Sequence, residues 1–249
     1  MANSVENKSD GPKKVAVACQ GGGMHAAFAV GVLTEILTDV KNGELELVGI
    51  SGTSAGALCA LVVGYNLAPK TAKDTRQAVA GSVDDAIKNL RSFWEDFVAK
   101  DSVEIALNQF TYTAFQAEEQ EFLGINAPTF GTLNPYGLFY KAFAGSLSHI
   151  GVRKEYFGLM DCLEKACPRF DDVDWTHATT RVLIGASEVV QGFETVFDSD
   201  VDKKTQLQDT GKQKKSSYWR QRLPLTLSGV AASGTLPLLS KAQHIVGSG

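Results

Sequence analysis

A Gly-x-Ser-x-Gly motif centred on Ser54 constrains the fold of this chain more than any other feature. The apolar stretch Leu45–Ile50 before it predicts a buried strand, and Ala57–Val63 after it predicts a buried helix. A serine on a sharp strand-to-helix turn projects its hydroxyl outward, and small neighbours let the backbone bend that tightly. The motif therefore predicts a nucleophile elbow made of Ser54 and its neighbours Gly52, Thr53, Ala55 and Gly56.

A glycine run follows the first predicted strand, Lys13–Cys19. Ester hydrolysis passes through a tetrahedral oxyanion, which backbone N–H groups stabilise by about 3–4 kcal/mol per donor. A glycine-rich backbone can approach a substrate closely, and the N-terminus of the next helix adds partial positive charge. The run lacks the third glycine of a dinucleotide fingerprint and the Lys-Ser/Thr of a Walker loop. It therefore predicts an oxyanion hole at Gly21, Gly22, Gly23 and Met24, with a purely structural turn as the alternative.

Alternating strand and helix patterns predict an α/β chain. Apolar residues from Phe28 to Leu37 recur at helical spacing, so the first two strands and this helix form a βαβ unit with parallel strands. The remaining predictions are a helix from Pro69 to about Lys100, a helix within Gly151–Cys167, strands Arg181–Ser187 and Glu194–Asp198, a solvated polar loop at 198–222, and a helix within Leu225–Gly234. The aromatic-rich stretch 102–150 is either ordinary helix packing or an apolar cover for an acyl chain.

Bulk composition excludes several classes of protein. With 249 residues, 44% hydrophobic, the chain can build one core, and its net charge of −4 gives no support for nucleic-acid binding. Residues 1–12 are polar and predict a disordered terminus without a signal peptide. No apolar run is long enough to span a bilayer, so we expect a cytoplasmic protein. The cysteines predict buried, reduced thiols: Cys19, Cys59, Cys162 and Cys167.

The two motifs together resemble the patatin-like phospholipase family. In that family a glycine-rich oxyanion turn, a Gly-x-Ser-x-Gly elbow and a late Asp-Gly pair form the catalytic apparatus. The stretch Ala231–Leu239 is similar to the family's approach to its aspartate strand, so the resemblance runs from about Lys13 to Gly249. It implies a three-layer α/β/α fold with a mostly parallel sheet, as one domain over 13–249 with a helical insertion around 102–150. It also implies a Ser–Asp dyad that needs no histidine, metal or cofactor.

This chain departs from the family pattern at two places. His25 and Ala26 stand where the family has Arg-Gly, although the oxyanion donors are backbone amides. The only Asp-Gly pair is Asp10-Gly11, in the polar terminus, so we expect the catalytic aspartate to lie beyond Gly249. A serine without a positioned base is a poor nucleophile, and we therefore expect this chain to be impaired as a catalyst.

The leading hypothesis is a serine lipid acyl hydrolase of phospholipase A or lysophospholipase type. Its partner is a lipid or acyl-ester substrate, with peripheral membrane contact through the basic residues of 198–222 as an extension. One alternative is an esterase with a Ser-acid-His triad, in which the candidates that follow Ser54 in triad order are Asp171, Asp172, Asp174, His177 and His244. A metal site at this acidic cluster is a weaker interpretation than a solvated loop. The other alternative is a catalytically dead lipid-binding module, and the oligomeric state stays open.

Overall fold

The computed structural model describes residues 11–23, 26–71, 78–97, 102–103, 105–106, 109, 158–189, 192, 194–201, 220–235, 243 and 245. The predictions for residues 1–10 and for nearly all of the 102–150 insertion lie outside these ranges. The helices are α1 Ala26–Lys41, α2 Ala55–Leu67, α3 Val83–Phe97, α4 Leu159–Ala166 and α5 Leu227–Gly234. The strands are β1 Lys13–Cys19, β2 Leu45–Thr53, β3 Lys70–Thr71, β4 Ala78–Val79, β5 Arg181–Ser187, β6 Glu194–Asp198 and β7 Arg220–Pro224.

Within the described ranges, the central sheet has five strands in the order β1-β2-β5-β6-β7. Strands β1, β2 and β5 are parallel, β6 runs antiparallel to β5, and β7 runs parallel to β6. The predicted β1-α1-β2 unit and the mostly parallel sheet are therefore confirmed. Because parallel strands end at one edge, the residues after β1, β2 and β5 meet there. Ser54 follows β2 at this edge, which we call the carboxyl edge.

Helix α2 lies at the centre of the core. Every residue from Ala55 to Asn66 is buried, and the helix is apolar on all sides. It packs on the sheet and contacts α1, α3 and α5. Its side chains belong to one continuous cluster with residues of β2 and β5 such as Ile50 and Ile184. A helix enclosed on all sides cannot shift without disturbing this packing, so it holds the turn at its N-terminus in place.

Two secondary-structure predictions are wrong in part. The helix expected from Pro69 begins only at Val83, because β3 and β4 pair before it and the Ser82 hydroxyl accepts the N–H of Asp85 at its start. The polar loop expected at 198–222 ends in strand β7, which starts at Arg220. Polar residues are tolerated there because β7 is the outermost of the described strands and one of its arginines pairs with Asp198 of β6.

The cysteine prediction is confirmed. All four thiols are buried and none forms a disulfide. Burial raises the pKa of Cys19 to about 11 and the pKa of Cys59 and Cys167 to about 12. These thiols therefore stay protonated at neutral pH and serve as small apolar side chains. Within the described ranges, no helix is both long and apolar enough to cross a bilayer.

Candidate active site

Ser54 occupies a strained turn between β2 and α2. Its φ of 55° and ψ of −128° make it the only non-glycine residue with positive φ in the part of the chain that the structure describes. Such a backbone costs of order 1–3 kcal/mol and persists only where the surrounding packing imposes it. The predicted strand and helix on either side of the serine are confirmed, and between them the chain reverses direction at a single residue.

The glycines on either side of Ser54 allow a very close approach of backbones. A Cβ built on Gly52 would overlap the backbone of Gly56, with the Ala57 nitrogen 2.6 Å away. A Cβ on Gly56 would overlap the Cys19 carbonyl group and lie 2.8 Å from the Gln20 carbonyl oxygen. No side chain fits at either position, so α2 begins directly against β2 and the end of β1.

The glycine run lies next to the serine. A Cβ on Gly21 would lie 2.9 Å from the Thr53 carbonyl oxygen and 3.1 Å from Ser54 Cβ. Gly22 and Gly23 have φ values of 146° and 57°, which glycine adopts without strain. The structure thus brings together two motifs that are distant in sequence. Met24 and His25 lie outside the described residues, and the role of the run as an oxyanion hole remains a prediction.

A hydroxyl from α5 completes the turn, and it is not among the site residues predicted from the sequence. The Ser54 backbone N–H donates to Ser233 Oγ at 2.9 Å, and Ser233 Oγ donates to the Gly185 carbonyl oxygen at 2.5 Å. Gly185 is the residue of β5 that pairs with Thr53. The small-residue stretch around Ser233 was visible in the sequence, but nothing local indicated that its hydroxyl reaches the elbow.

A cavity of about 400 Å³ opens beside the elbow at the carboxyl edge. Its walls come from the ends of β1 and β2, from β5, and from the first residues of β6, including Cys19, Thr53, Gly185 and Glu194. Glu194 is the one carboxylate among the described residues that line it. A larger cavity, of about 570 Å³, is lined by Tyr65 and Asn66 and therefore lies at the other end of α2, away from the serine.

The triad alternative that uses His177 is wrong. His177 Nδ1 does pair with Asp174 Oδ2 at 2.8 Å, and this hydrogen bond holds the pKa of Asp174 below its usual value. However, the Asp174 N–H donates to the Pro69 carbonyl, just beyond the C-terminus of α2. Ser54 precedes the other end of this 13-residue helix, which is about 20 Å long.

The two other acidic candidates lie in the same segment as Asp174. Asp171 and Asp172 form a 3₁₀ turn there, and the Arg169 guanidinium links Asp172 to the Thr71 carbonyl. They are therefore also remote from Ser54, whereas His244 lies outside the described residues. Among the residues with described positions, no group of three or more His, Cys, Asp or Glu could hold a metal ion.

Comparison with known proteins identifies the family. A family model for patatin-like phospholipase matches residues 17–248, which include the glycine run, the elbow, the last three residues of β1 and the other four strands of the central sheet. Among curated proteins, no sequence matches the chain. The match and the mixed, mostly parallel sheet confirm the predicted three-layer α/β/α fold class. The family generally consists of hydrolases that act on lipids. The chain belongs to the patatin-like phospholipase family.

Proposed function

We propose that this protein is a serine lipid acyl hydrolase of phospholipase A or lysophospholipase type, with Ser54 as its nucleophile. The observation that carries the proposal is the strained backbone of Ser54 directly beside Gly21. Strain of this kind costs free energy and is typical of functional sites. Membership in the family supports the class of reaction, and the geometry of the elbow supports Ser54 Oγ as the attacking atom.

The reaction would proceed in two steps. Ser54 Oγ attacks the ester carbonyl carbon and loses its proton to a base, which gives a tetrahedral intermediate with a negatively charged oxygen. Backbone N–H groups of Gly22, Gly23 and Met24 stabilise that charge. The C–O bond to the leaving alcohol then breaks, and the alcohol takes up the proton. Water hydrolyses the acyl-enzyme by the same sequence and releases the fatty acid.

The base in this proposal is an aspartate, as the family resemblance implies. Within the described part of the chain, no carboxylate or imidazole forms a hydrogen bond with Ser54 Oγ. The only Asp-Gly pair of the 249 residues is Asp10-Gly11, before β1. We therefore expect the 249-residue chain to be acylated slowly, because none of the described residues offers this hydroxyl a positioned base. The same observation favours the second candidate function, a lipid-binding module without turnover.

Exposed apolar residues at the carboxyl edge support a lipid substrate. Phe28, in the first turn of α1, is 80% exposed, and Val189, just after β5, is 79% exposed. Both lie at the edge where the serine turn opens, because β1 and β5 end there. We propose that this apolar rim contacts the lipid surface from which the acyl ester reaches Ser54.

Labelling with a fluorophosphonate tests the assignment of the nucleophile. The wild-type chain, Ser54→Ala and the control Ser92→Ala are incubated with the probe, and intact-mass and peptide mass spectrometry locate the adduct. Ser92 is an exposed serine of α3, and its replacement should not change labelling at Ser54. We expect a slowly formed adduct on Ser54 in the wild type and in Ser92→Ala, and none in Ser54→Ala.

Two further variants and one binding assay separate the candidates. We expect His177→Ala to be labelled like the wild type, because His177 lies at the far end of α2. Loss of labelling in His244→Ala would support the triad esterase instead of the Ser–Asp hydrolase. If the wild type is labelled no faster than Ser54→Ala, the proposed hydrolase function is contradicted. Binding of that wild type to phosphatidylcholine vesicles would then support the lipid-binding module.

A further inference from the structure

The Ser233 hydroxyl joins three elements at one point. It belongs to the last turn of α5, accepts the backbone N–H of Ser54 at 2.9 Å and donates to the Gly185 carbonyl of β5 at 2.5 Å. Ser233 is only 9% exposed, so water cannot easily replace these bonds. A hydroxyl is suited to the position because it donates one hydrogen bond and accepts another.

The bond to Ser54 acts on the peptide that sets the direction of the nucleophile. The N–H of Ser54 belongs to the peptide plane between the end of β2 and the strained residue. A hydrogen bond at this N–H restrains rotation of that plane, and hence the direction in which Cβ and Oγ of Ser54 point. Because a positive φ is disfavoured for serine, the turn needs such external restraints to keep one geometry.

Helix α5 is held in place by contacts other than Ser233. The Thr226 hydroxyl accepts the N–H of Gly229 at 3.0 Å and caps the helix at its start. Gly229 lies against the ring of Phe197 of β6, and Gly234 lies against Leu159 of α4. These contacts fix the position of the helix and therefore of the Ser233 hydroxyl beside the elbow. Removal of that hydroxyl should leave the position of the helix unchanged.

We propose that Ser233 is a positioning residue for the nucleophile, which holds the Ser54 turn in its reactive geometry by bridging it to β5. This proposal rests on the proposed function of Ser54. Ser233 does not itself contact the substrate in this scheme. Because the Ser54 N–H donates to Ser233, it is not free to bind the oxyanion. The amides of the glycine run would bind the oxyanion instead.

The first test compares acylation rates. The second-order rate of fluorophosphonate labelling at Ser54 is measured for the wild type, Ser233→Ala and the matched control Ser228→Ala. Ser228 lies on the same helix, and its hydroxyl pairs with that of Thr226 at 3.1 Å instead of reaching the elbow. We expect Ser233→Ala to be labelled about three- to ten-fold more slowly, the equivalent of one backbone hydrogen bond, and Ser228→Ala to match the wild type.

The second test does not depend on activity. Hydrogen–deuterium exchange of the Ser54 amide is measured in the same variants at neutral pH. We expect exchange at this amide to be about three- to ten-fold faster in Ser233→Ala, with unchanged exchange in the core of β2 and in α5. A merely structural role for Ser233 would instead accelerate exchange throughout α5 and lower the melting temperature without a specific effect at Ser54.

A pair of variants of equal shape guards against a folding defect. Threonine has a hydroxyl where valine has a methyl group, so only Ser233→Thr keeps the hydrogen bonds to Ser54 and Gly185. We therefore expect Ser233→Thr to be labelled faster than Ser233→Val, and this comparison remains valid even if Ser233→Ala fails to fold. Equal rates and equal Ser54 exchange in these two variants, with a wild type that is labelled at Ser54, would overturn the positioning role alone. A wild type that is not labelled at Ser54 would overturn the proposed function, and the exchange data would still report on the Ser233 bond.

Discussion

Substitution of Gly56 by alanine is the sharpest test of how the elbow is built. A Cβ at Gly56 would lie 2.7 Å from the Cys19 carbonyl carbon and 2.8 Å from the Gln20 carbonyl oxygen. These neighbours are backbone atoms of the end of β1 and cannot rotate away, so α2 must move off the sheet. Gly31→Ala is the matched control, because Gly31 lies within α1 and no atom beyond the adjacent backbone of its own helix would lie within 4 Å of its Cβ.

The expected loss of stability follows from two opposing contributions. Overpacking of a close interface costs about 1–3 kcal/mol, and rigid backbone neighbours favour the upper end of that range. Alanine in place of glycine within a helix raises the free energy of unfolding by about 1 kcal/mol. We therefore expect Gly56→Ala to lower the free energy of unfolding by about 2 kcal/mol, or the melting temperature by about 4–8 °C. Gly31→Ala should raise the free energy of unfolding by about 0.5–1 kcal/mol.

Urea unfolding and thermal denaturation measure both variants, and fluorophosphonate labelling follows the site. Movement of α2 away from β1 would separate Ser54 from Gly21, so we expect slower labelling of Gly56→Ala even below its unfolding transition. The reasoning would be refuted by a Gly56→Ala variant that is as stable as Gly31→Ala and is labelled at the wild-type rate.

Asp198→Asn should lower the free energy of unfolding by about 2 kcal/mol in urea titrations, because the buried carboxylate accepts hydrogen bonds from the half-exposed Arg181 and Arg222. Burial opposes ionisation, but these bonds and the Asp200 N–H hold the pKa of Asp198 below its usual value. Its contribution is therefore complete above the unfolded pKa, near 4, and is lost as the pH falls through the folded pKa, so the variant and the wild type should converge in acid. At the carboxyl edge, Phe28→Ser should weaken sedimentation with phosphatidylcholine vesicles about ten-fold. Val79→Ser, an exposed apolar position at the other end of α2, should leave binding unchanged and serves as the control.

Local patterns in the sequence were sufficient to predict the elements that carry the site. Apolar runs and the glycines between them predicted β1, α1, β2 and α2 in order, and the structure has all four. These predictions succeeded because backbone geometry and burial leave a periodic trace in neighbouring residues. The positions of Gly52 and Gly56 belong to the same local pattern, since the turn between a strand and a helix needs small residues.

Predictions failed where charge or distance in sequence decided the outcome. The stretch 198–222 has the composition of a loop, yet its end forms β7, because Arg222 finds a buried counter-charge in Asp198. The Asp174–His177 pair has the order of a catalytic triad, but the strand order and the length of α2 hold it at the other end of the helix from Ser54. The order of the serine, acid and histidine along the chain therefore does not show that they lie close together in the fold.

Short, contiguous stretches of residues were enough to identify the family, the fold class and the serine on which the proposed chemistry depends. The surroundings of that serine were established by the folded chain. It brought Gly21 against Ser54, carried Asp174 and His177 to the far end of α2, and delivered the Ser233 hydroxyl to an amide 179 positions away in the chain. Such contacts arise from the order and register of strands, and pairing between remote segments leaves no periodic trace in one sequence.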